Sequence, residues 1–164
     1  HVRAQTPAQA CLPPSSTRRP PMTARILVAV DFTAADHRVC QAAAEFARLL
    51  HAEVVLVNVV HELAALLGVY GQQTVSALQE RVEQQGSDKL RALAAEHFAG
   101  LAHRVVLLVG TPWAEILDCA AQEGATLLVV GTHDSGKAEH AFAGSTAQRV
   151  IENAHCRILL VPPA

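Results

Sequence analysis

The chain has 164 residues, about half of them hydrophobic, and a formal net charge of −2 at pH 7. This length and apolar content predict one domain with a sizeable buried core. The weak negative charge and the lack of a basic patch argue against a nucleic-acid-binding protein, and no apolar run approaches the length of a membrane span. The four cysteines include no C-x-x-C pair, which argues against a disulfide framework or a structural zinc site and fits a reducing cytoplasm.

The first 21 residues differ in composition from the rest of the chain. They contain five of the eight prolines, three arginines and no acidic residue, with almost no large apolar side chain. Such a segment cannot bury enough surface to offset the entropy of ordering it, and it lacks the apolar stretch of a signal peptide. We therefore expect residues 1–21 to be a disordered extension or remnant, and residues 22–164 to be the folded domain.

Five continuous apolar runs, rich in β-branched residues, predict strands that are buried on both faces. Four stretches between them carry apolar residues at three- and four-residue spacing, which predicts amphipathic helices. Strands that alternate with helices indicate a parallel sheet covered by helices on both sides. The predicted strands are 24–32, 52–60, 103–110, 125–131 and 156–162, and the predicted helices are 35–50, 72–98, 112–122 and 145–153.

Details of the predicted helices give local expectations. Gly86 weakens the long second helix. Thr111 and Pro112 are the usual cap and first-turn residues of the third helix. Thr33 and Asp36 have the spacing of a capping box at the start of the first helix.

Ligands of open parallel sheets bind beyond the carboxyl ends of the strands, so the residues that follow each strand matter most. Asp31 follows the first strand, where its structural role would be to cap a helix or to satisfy loop N–H groups. The predicted Thr33–Asp36 capping box partly relieves Asp31 of that role. We therefore slightly favour a ligand-binding role for Asp31.

The stretch 131–146, "GTHDSGKAEHAFAGST", connects the fourth strand to the last helix. Gly144, Ser145 and Thr146 lie where exposed N–H groups and the helix dipole attract anions, which favours phosphate binding. Ser145 and Gln148 also have capping-box spacing, which would satisfy the same N–H groups internally. Neither the dinucleotide-binding nor the P-loop motif is present. Spacing alone slightly favours a structural connection over a phosphate site.

Other chemistry is weakly indicated. The nine histidines include His133 and His140 in the same loop, but no pair has a fixed metal-binding spacing, so we predict no metal site. Ser145 has no obvious base partner and no G-x-S-x-G elbow surrounds it, which argues against a hydrolase. We expect no catalytic residues.

The chain resembles the universal stress protein family over residues 24–162. Nucleotide-binding members carry the motif G-x-x-G-x(9)-G-[S/T], and here Gly131 matches its first glycine and Gly144-Ser145 its end, with the spacing kept. The segments "ILVAVDFT", "GTPWAEILDCAAQEGATLLVVGTH" and "AHCRILLVP" are also similar to that family. Asp134 stands where the family has its second glycine.

The resemblance implies a five-stranded α/β fold with strand order 3-2-1-4-5. It implies a homodimer built through the last strand, residues 156–162, which would otherwise be an exposed sheet edge. For some members it implies ATP, with or without Mg²⁺, bound between the end of the first strand and the glycine loop. Asp31 and the backbone of Val59 would then meet the adenine side, and the ribose and phosphates would meet Gly131, Gly144, Ser145 and Thr146.

Asp134 leaves two hypotheses open. A carboxylate within about 4 Å of a triphosphate would be repelled by roughly 1 to 4 kcal/mol, which could weaken binding about tenfold or more. The chain is then either a stress-response regulatory protein that binds ATP or a related adenine nucleotide, or a dimeric interaction module that has lost nucleotide binding. Weak ATP hydrolysis is the most that we expect of it as an enzyme.

Overall fold

The computed structural model describes residues 24–132 and 145–162, and these residues form five strands and five helices. The strands are β1 (Arg25–Ala29), β2 (Glu53–Val60), β3 (His103–Val109), β4 (Leu127–Gly131) and β5 (Arg157–Val161). The helices are α1 (Asp36–Leu50), α2 (Leu67–Tyr70), α3 (Gln72–His97), α4 (Pro112–Gln122) and α5 (Ser145–Asn153), and a 3₁₀ turn (Ala64–Leu66) precedes α2. None of the helices in the described ranges is long and apolar enough to cross a membrane.

The strands form one parallel sheet with the order β3-β2-β1-β4-β5, which confirms the predicted order. The chain builds outward from β1 to β2 and β3, and then crosses to the other side of β1 for β4 and β5. Ile26 at the centre of the sheet pairs with Val54 on one side and with Leu127 on the other. The point where the strand order reverses therefore lies between β1 and β4, where sheets of this kind bind ligands.

Helices cover both faces of the sheet, because side chains of successive strand residues point to opposite faces. Ile26 and Val28 pack with residues of α1 and α3 on one face, and Leu27 packs with residues of α4 and α5 on the other. The continuous apolar runs in the sequence are a direct consequence of this two-sided burial.

The four predicted helices and five predicted strands are all present, with bounds that differ by at most three residues. The 3₁₀ turn and α2 were not predicted, because the connection after β2 lacks an apolar stripe of helical spacing. Three large side chains of α2, those of Leu67, Val69 and Tyr70, are exposed. Gly86 does not interrupt α3. Instead, a Cβ atom at Gly86 would lie 2.9 Å from Cδ1 of Leu107, so the glycine lets α3 pack closely on β3.

The predicted capping box of α1 is wrong. The helix begins at Asp36 with Ala35 at the N-cap, and no side chain makes a capping bond there. Asp36 is instead bonded back to the turn that follows β1, as described below. Thr111 does occupy the N-cap position of α4 and Pro112 follows it, but the Thr111 side chain makes no capping bond.

The amino ends of the strands are closed by two arginines and two glutamates that alternate in space. Nε of Arg25 lies 3.0 Å from Oε2 of Glu53, and Nη1 of Arg25 lies 3.6 Å from Oε2 of Glu123. Arg104 lies 3.4 Å from Glu53 and also pairs with Glu123. This network links β1, β2 and β3 to the end of α4 at the amino ends of the strands. The carboxyl ends of the strands lie at the opposite end of the sheet.

Candidate functional site

A cleft of about 370 Å³ lies at the carboxyl ends of β1 and β4, at the reversal point of the strand order. The end of β2 and the starts of α1, α4 and α5 complete its wall. Four of the six residues that were predicted to bind a nucleotide line this cleft, namely Asp31, Val59, Gly131 and Thr146. The sheet therefore brings together residues that lie as much as 115 positions apart in the chain.

The backbone of Val59 faces the cleft because β2 is longer than β1. Val57 accepts a hydrogen bond from the N–H of Val30 at 3.0 Å, so the polar backbone groups of Val57 point toward β1. Backbone groups two residues apart in a strand point the same way, so those of Val59 also point to the β1 side. The ladder between the two strands ends where Ala29 pairs with Val57. Val59 therefore presents one donor and one acceptor beyond the end of β1.

Asp31 lies in a tight turn directly after β1. Phe32 has a positive φ of 62°, which is unusual for a non-glycine residue and turns the chain sharply toward α1. Oδ1 of Asp31 accepts the N–H of Thr33 at 3.3 Å. Asp31 thus has the loop-bonding role considered for it and also lines the cleft, so the two roles are compatible.

Asp36 is a buried carboxyl group on the wall of the cleft, and its side chain is folded back over the 31–33 turn. Its Oδ1 accepts the N–H of Asp31 at 3.4 Å. Burial, and secondly the carboxylate of Asp31, raise the pKa of Asp36 to about 6, while hydrogen bonds from the N–H groups of the turn oppose the rise. Its other oxygen, Oδ2, is buried without a hydrogen-bond partner among the described residues.

Asn58 is a second buried polar residue in the cleft wall. Its Nδ2 donates to the carbonyl oxygen of Val30 at 2.8 Å, which fixes the end of β1 to β2. Its Oδ1 is buried and has no partner within the described part of the chain. Buried polar atoms are nearly always hydrogen-bonded, so Oδ1 of Asn58 and Oδ2 of Asp36 are two unusual buried acceptors close to the cleft.

The sequence did not predict a binding role for Asn58 or Asp36. A polar residue inside the apolar run "VVLVNVV" was the available signal for Asn58. Asp36 was interpreted as a helix cap because its partner, the 31–33 turn, takes its shape from the strained φ of Phe32, which sequence spacing does not reveal.

Gly131 lines the cleft with its backbone only. A Cβ atom at this position would point to the face of the sheet that α1 covers, 3.1 Å from Cγ2 of Val39. The glycine therefore serves the packing of α1 on β4 as well as the cleft.

The start of α5 forms the remaining side of the cleft. Thr146 lines it, whereas Ser145 is exposed and is not among the lining residues of the described structure. Gly144 and Asp134, together with His133 and His140, fall outside the described residues. The N–H groups at the first turn of α5 carry the positive end of the helix dipole, which suits an anionic group, whereas the acidic Asp31 and Asp36 suit hydroxyl and amino groups.

Comparison with known proteins gives consistent matches. The model of the Universal stress protein family matches residues 22–162. Universal stress protein MJ0531 of Methanocaldococcus jannaschii is 29% identical over 139 residues, which cover 84% of this chain and 81% of the relative.

Solved structures agree on the fold. The structure of MJ0577, from the same organism, has a TM-score of 0.75 at 23% identity and covers 87% of this chain and 98% of its own. The universal stress protein from Archaeoglobus fulgidus in complex with dAMP has a TM-score of 0.54 at 23% identity, covering 84% of this chain and 96% of its own.

The strand order and the cleft define a doubly wound α/β protein with a cleft at the crossover of the sheet, where proteins of this class bind ligands. The chain belongs to the universal stress protein family, as its resemblance to that family predicted. Some members of this family bind adenine nucleotides.

Proposed function

We propose that this protein is a cytoplasmic stress-response regulator that binds ATP or a related adenine nucleotide in the cleft. The observation that carries the proposal is the backbone edge of Val59, which offers a donor and an acceptor in the cleft wall. The pairing edge of adenine has an acceptor nitrogen beside an amino group, so the two edges are complementary. The dAMP complex of an Archaeoglobus fulgidus relative supports the choice of an adenine nucleotide.

The other groups of the cleft suit the remaining parts of such a nucleotide. The carboxylate of Asp31, which also lines the cleft, would accept hydrogen bonds from donor groups on the adenine side of the nucleotide. The phosphates would then lie toward the first turn of α5, near Gly144, Ser145 and Thr146, where N–H and hydroxyl groups are available. Asp36 and Asn58 support the cleft wall through their hydrogen bonds to the N–H of Asp31 and to the carbonyl oxygen of Val30.

The alternative is a dimeric interaction module in which Asp134 prevents nucleotide binding. The dimer in this alternative is supported by the position of β5 at one edge of the sheet, with 40% of Leu160 exposed. Pairing of residues 156–162 with a second copy would cover that edge. The homodimer is compatible with either function, so nucleotide binding alone decides between them.

Isothermal titration of the full chain with Mg²⁺–ATP, ADP and AMP tests the proposed function. We expect saturable binding, and we expect Asp31→Ala to weaken it by about 10- to 100-fold, because a hydrogen bond to a charged group contributes about 1.5–3 kcal/mol. Asp118→Ala, which removes an exposed carboxylate on α4, is the matched control and should leave the affinity unchanged.

The variant Asp134→Gly separates the two hypotheses. If wild type binds and Asp31→Ala weakens binding, the regulator is supported. If wild type does not bind and Asp134→Gly does, the cleft is intact and the interaction module is the better description. Failure of both proteins to bind any adenine nucleotide would contradict the proposed function.

A further inference from the structure

A cluster of two histidines and one glutamate lies away from the cleft wall, where α1 meets the last turn of α3. His37 is the second residue of α1, and Glu96 and His97 are the last two residues of α3. Their ligand atoms are Nδ1 of His37, Oε1 of Glu96 and Nε2 of His97, and each can donate a lone pair to a metal ion.

The three atoms form a compact triangle. Nδ1 of His37 lies 3.0 Å from Nε2 of His97 and 3.3 Å from Oε1 of Glu96, and the third side, from His97 to Glu96, is 3.8 Å. The circle through these three points has a radius of about 2.0 Å, which does not exceed the usual bond of about 2.0–2.2 Å from zinc to nitrogen or oxygen, so one zinc ion placed slightly outside the plane of the three atoms can reach all of them.

The triangle also matches the geometry that zinc prefers. In a tetrahedron with bonds of this length the ligand atoms lie about 3.3–3.4 Å apart, whereas in an octahedron neighbouring ligands are about 2.9 Å apart. The mean side of the observed triangle is about 3.4 Å, which is the tetrahedral value. The two imidazole rings meet at 72° and do not stack.

The elements that hold the three ligands are well fixed. Cys40 and Ala44 of α1, together with Leu90 and Ala94 of α3, belong to one buried core, so the two helices keep their separation without a metal. His97 is only 15% exposed, whereas His37 and Glu96 are 58% and 56% exposed. The site is therefore preformed on two packed helices and is open to solvent on one side, as a three-ligand zinc site with a free fourth position requires.

We propose that His37, Glu96 and His97 form a binding site for a divalent transition-metal cation, with zinc as the ion that fits best. Without a metal, Nδ1 of His37 and Nε2 of His97 are at hydrogen-bond distance, and a cation would replace the shared proton and bind both nitrogens and Oε1 of Glu96. It would also link α1 to α3, through residues 60 positions apart in the chain. The proposal does not depend on nucleotide binding, because none of the three residues lines the cleft of the described structure.

The test is a titration of ZnCl₂ into the full chain, after treatment with EDTA, transfer to metal-free buffer and reduction of the thiols. We expect one zinc per chain with a dissociation constant in the micromolar range or tighter. His37→Gln and Glu96→Gln should each weaken binding at least tenfold, and both replace exposed side chains, so they should fold normally. His155→Gln changes an exposed histidine outside the cluster and should bind zinc as wild type does.

A second measurement checks the geometry. Co²⁺ bound at this site should give the intense visible absorption of a tetrahedral complex, and that absorption should disappear in His37→Gln. Absence of zinc binding by wild type would overturn the proposal. Zinc binding that persists at full affinity in both His37→Gln and Glu96→Gln would overturn it as well, because the ion would then be bound elsewhere.

Discussion

Gly131 has two roles at the residue scale, and only one of them was expected from its place in the glycine loop. Its backbone lines the cleft, and a Cβ atom at this position would point toward Val39 of α1. A contact of 3.1 Å to a methyl carbon is tighter than ordinary packing, so any larger residue must displace α1 slightly.

We predict that Gly131→Ala lowers the free energy of unfolding by about 1 kcal/mol, because the added methyl group overpacks the contact with Val39. Urea denaturation measures the effect. In a Val39→Ala background the same substitution should cost less, since the opposing methyl groups are gone. Equal costs in both backgrounds would contradict this packing explanation.

The sequence predicted the cleft residues that lie at strand ends better than the residues that depend on contacts between elements. Asp31 follows β1, Gly131 is the last residue of β4 and Thr146 is in the first turn of α5, so their positions follow from the pattern of strands and helices. Their roles as ligands remain predictions. The His37 and His97 pair was missed because the two residues lie 60 positions apart and meet only when α3 packs beside α1.

At the scale of elements, α1 ends in an unusual way. Its C-cap is His51, with φ 50° and ψ 43° in the left-handed region, and the N–H of His51 bonds to the carbonyl of Ala47. Glycine is the usual residue at this position because it has no Cβ atom to clash there. The sequence pattern predicted the end of α1 within one residue, but it did not indicate a strained cap.

We predict that His51→Gly raises the free energy of unfolding by about 0.5–1 kcal/mol. Relief of left-handed strain, about 1–2 kcal/mol, exceeds the entropy that glycine adds to the unfolded chain. His51→Ala keeps the strain and should give no comparable gain. If alanine stabilises the protein as much as glycine does in thermal or urea unfolding, the imidazole rather than the backbone is the cause.

At the scale of the whole molecule, the sheet has two open edges and two different ends. The amino ends of the strands are closed by the Arg25–Glu53 and Arg104–Glu123 pairs, and the carboxyl ends hold the cleft. The apolar runs predicted the parallel sheet from burial alone, whereas the strand order came from the family resemblance. The charged network was not predicted, because its four residues are brought together only by the pairing of the strands.

The proposed homodimer is tested at the two edges of the sheet. Leu160 on β5 and Val109 on β3 are exposed to the same extent, 40% and 39%, and lie on opposite edges. We predict that wild type is a dimer and that Leu160→Lys is a monomer, because a charged side chain blocks pairing of an edge strand. Val109→Lys should remain a dimer.

Sedimentation equilibrium of the three proteins measures the association. A monomeric wild type would contradict the dimer. Loss of association in Val109→Lys but not in Leu160→Lys would place the interface on the β3 edge instead.

The extension of β2 beyond β1 has a consequence for how the cleft can change over generations. The groups that Val59 presents belong to the peptide backbone, and every amino acid except proline carries the same pair. Substitutions at position 59 can therefore change the size and hydrophobicity of the cleft wall, while the backbone donor and acceptor at its edge stay the same. Changes in ligand specificity must then come from the surrounding side chains. The backbone hydrogen-bonding groups at position 59 are kept for as long as the fold is kept.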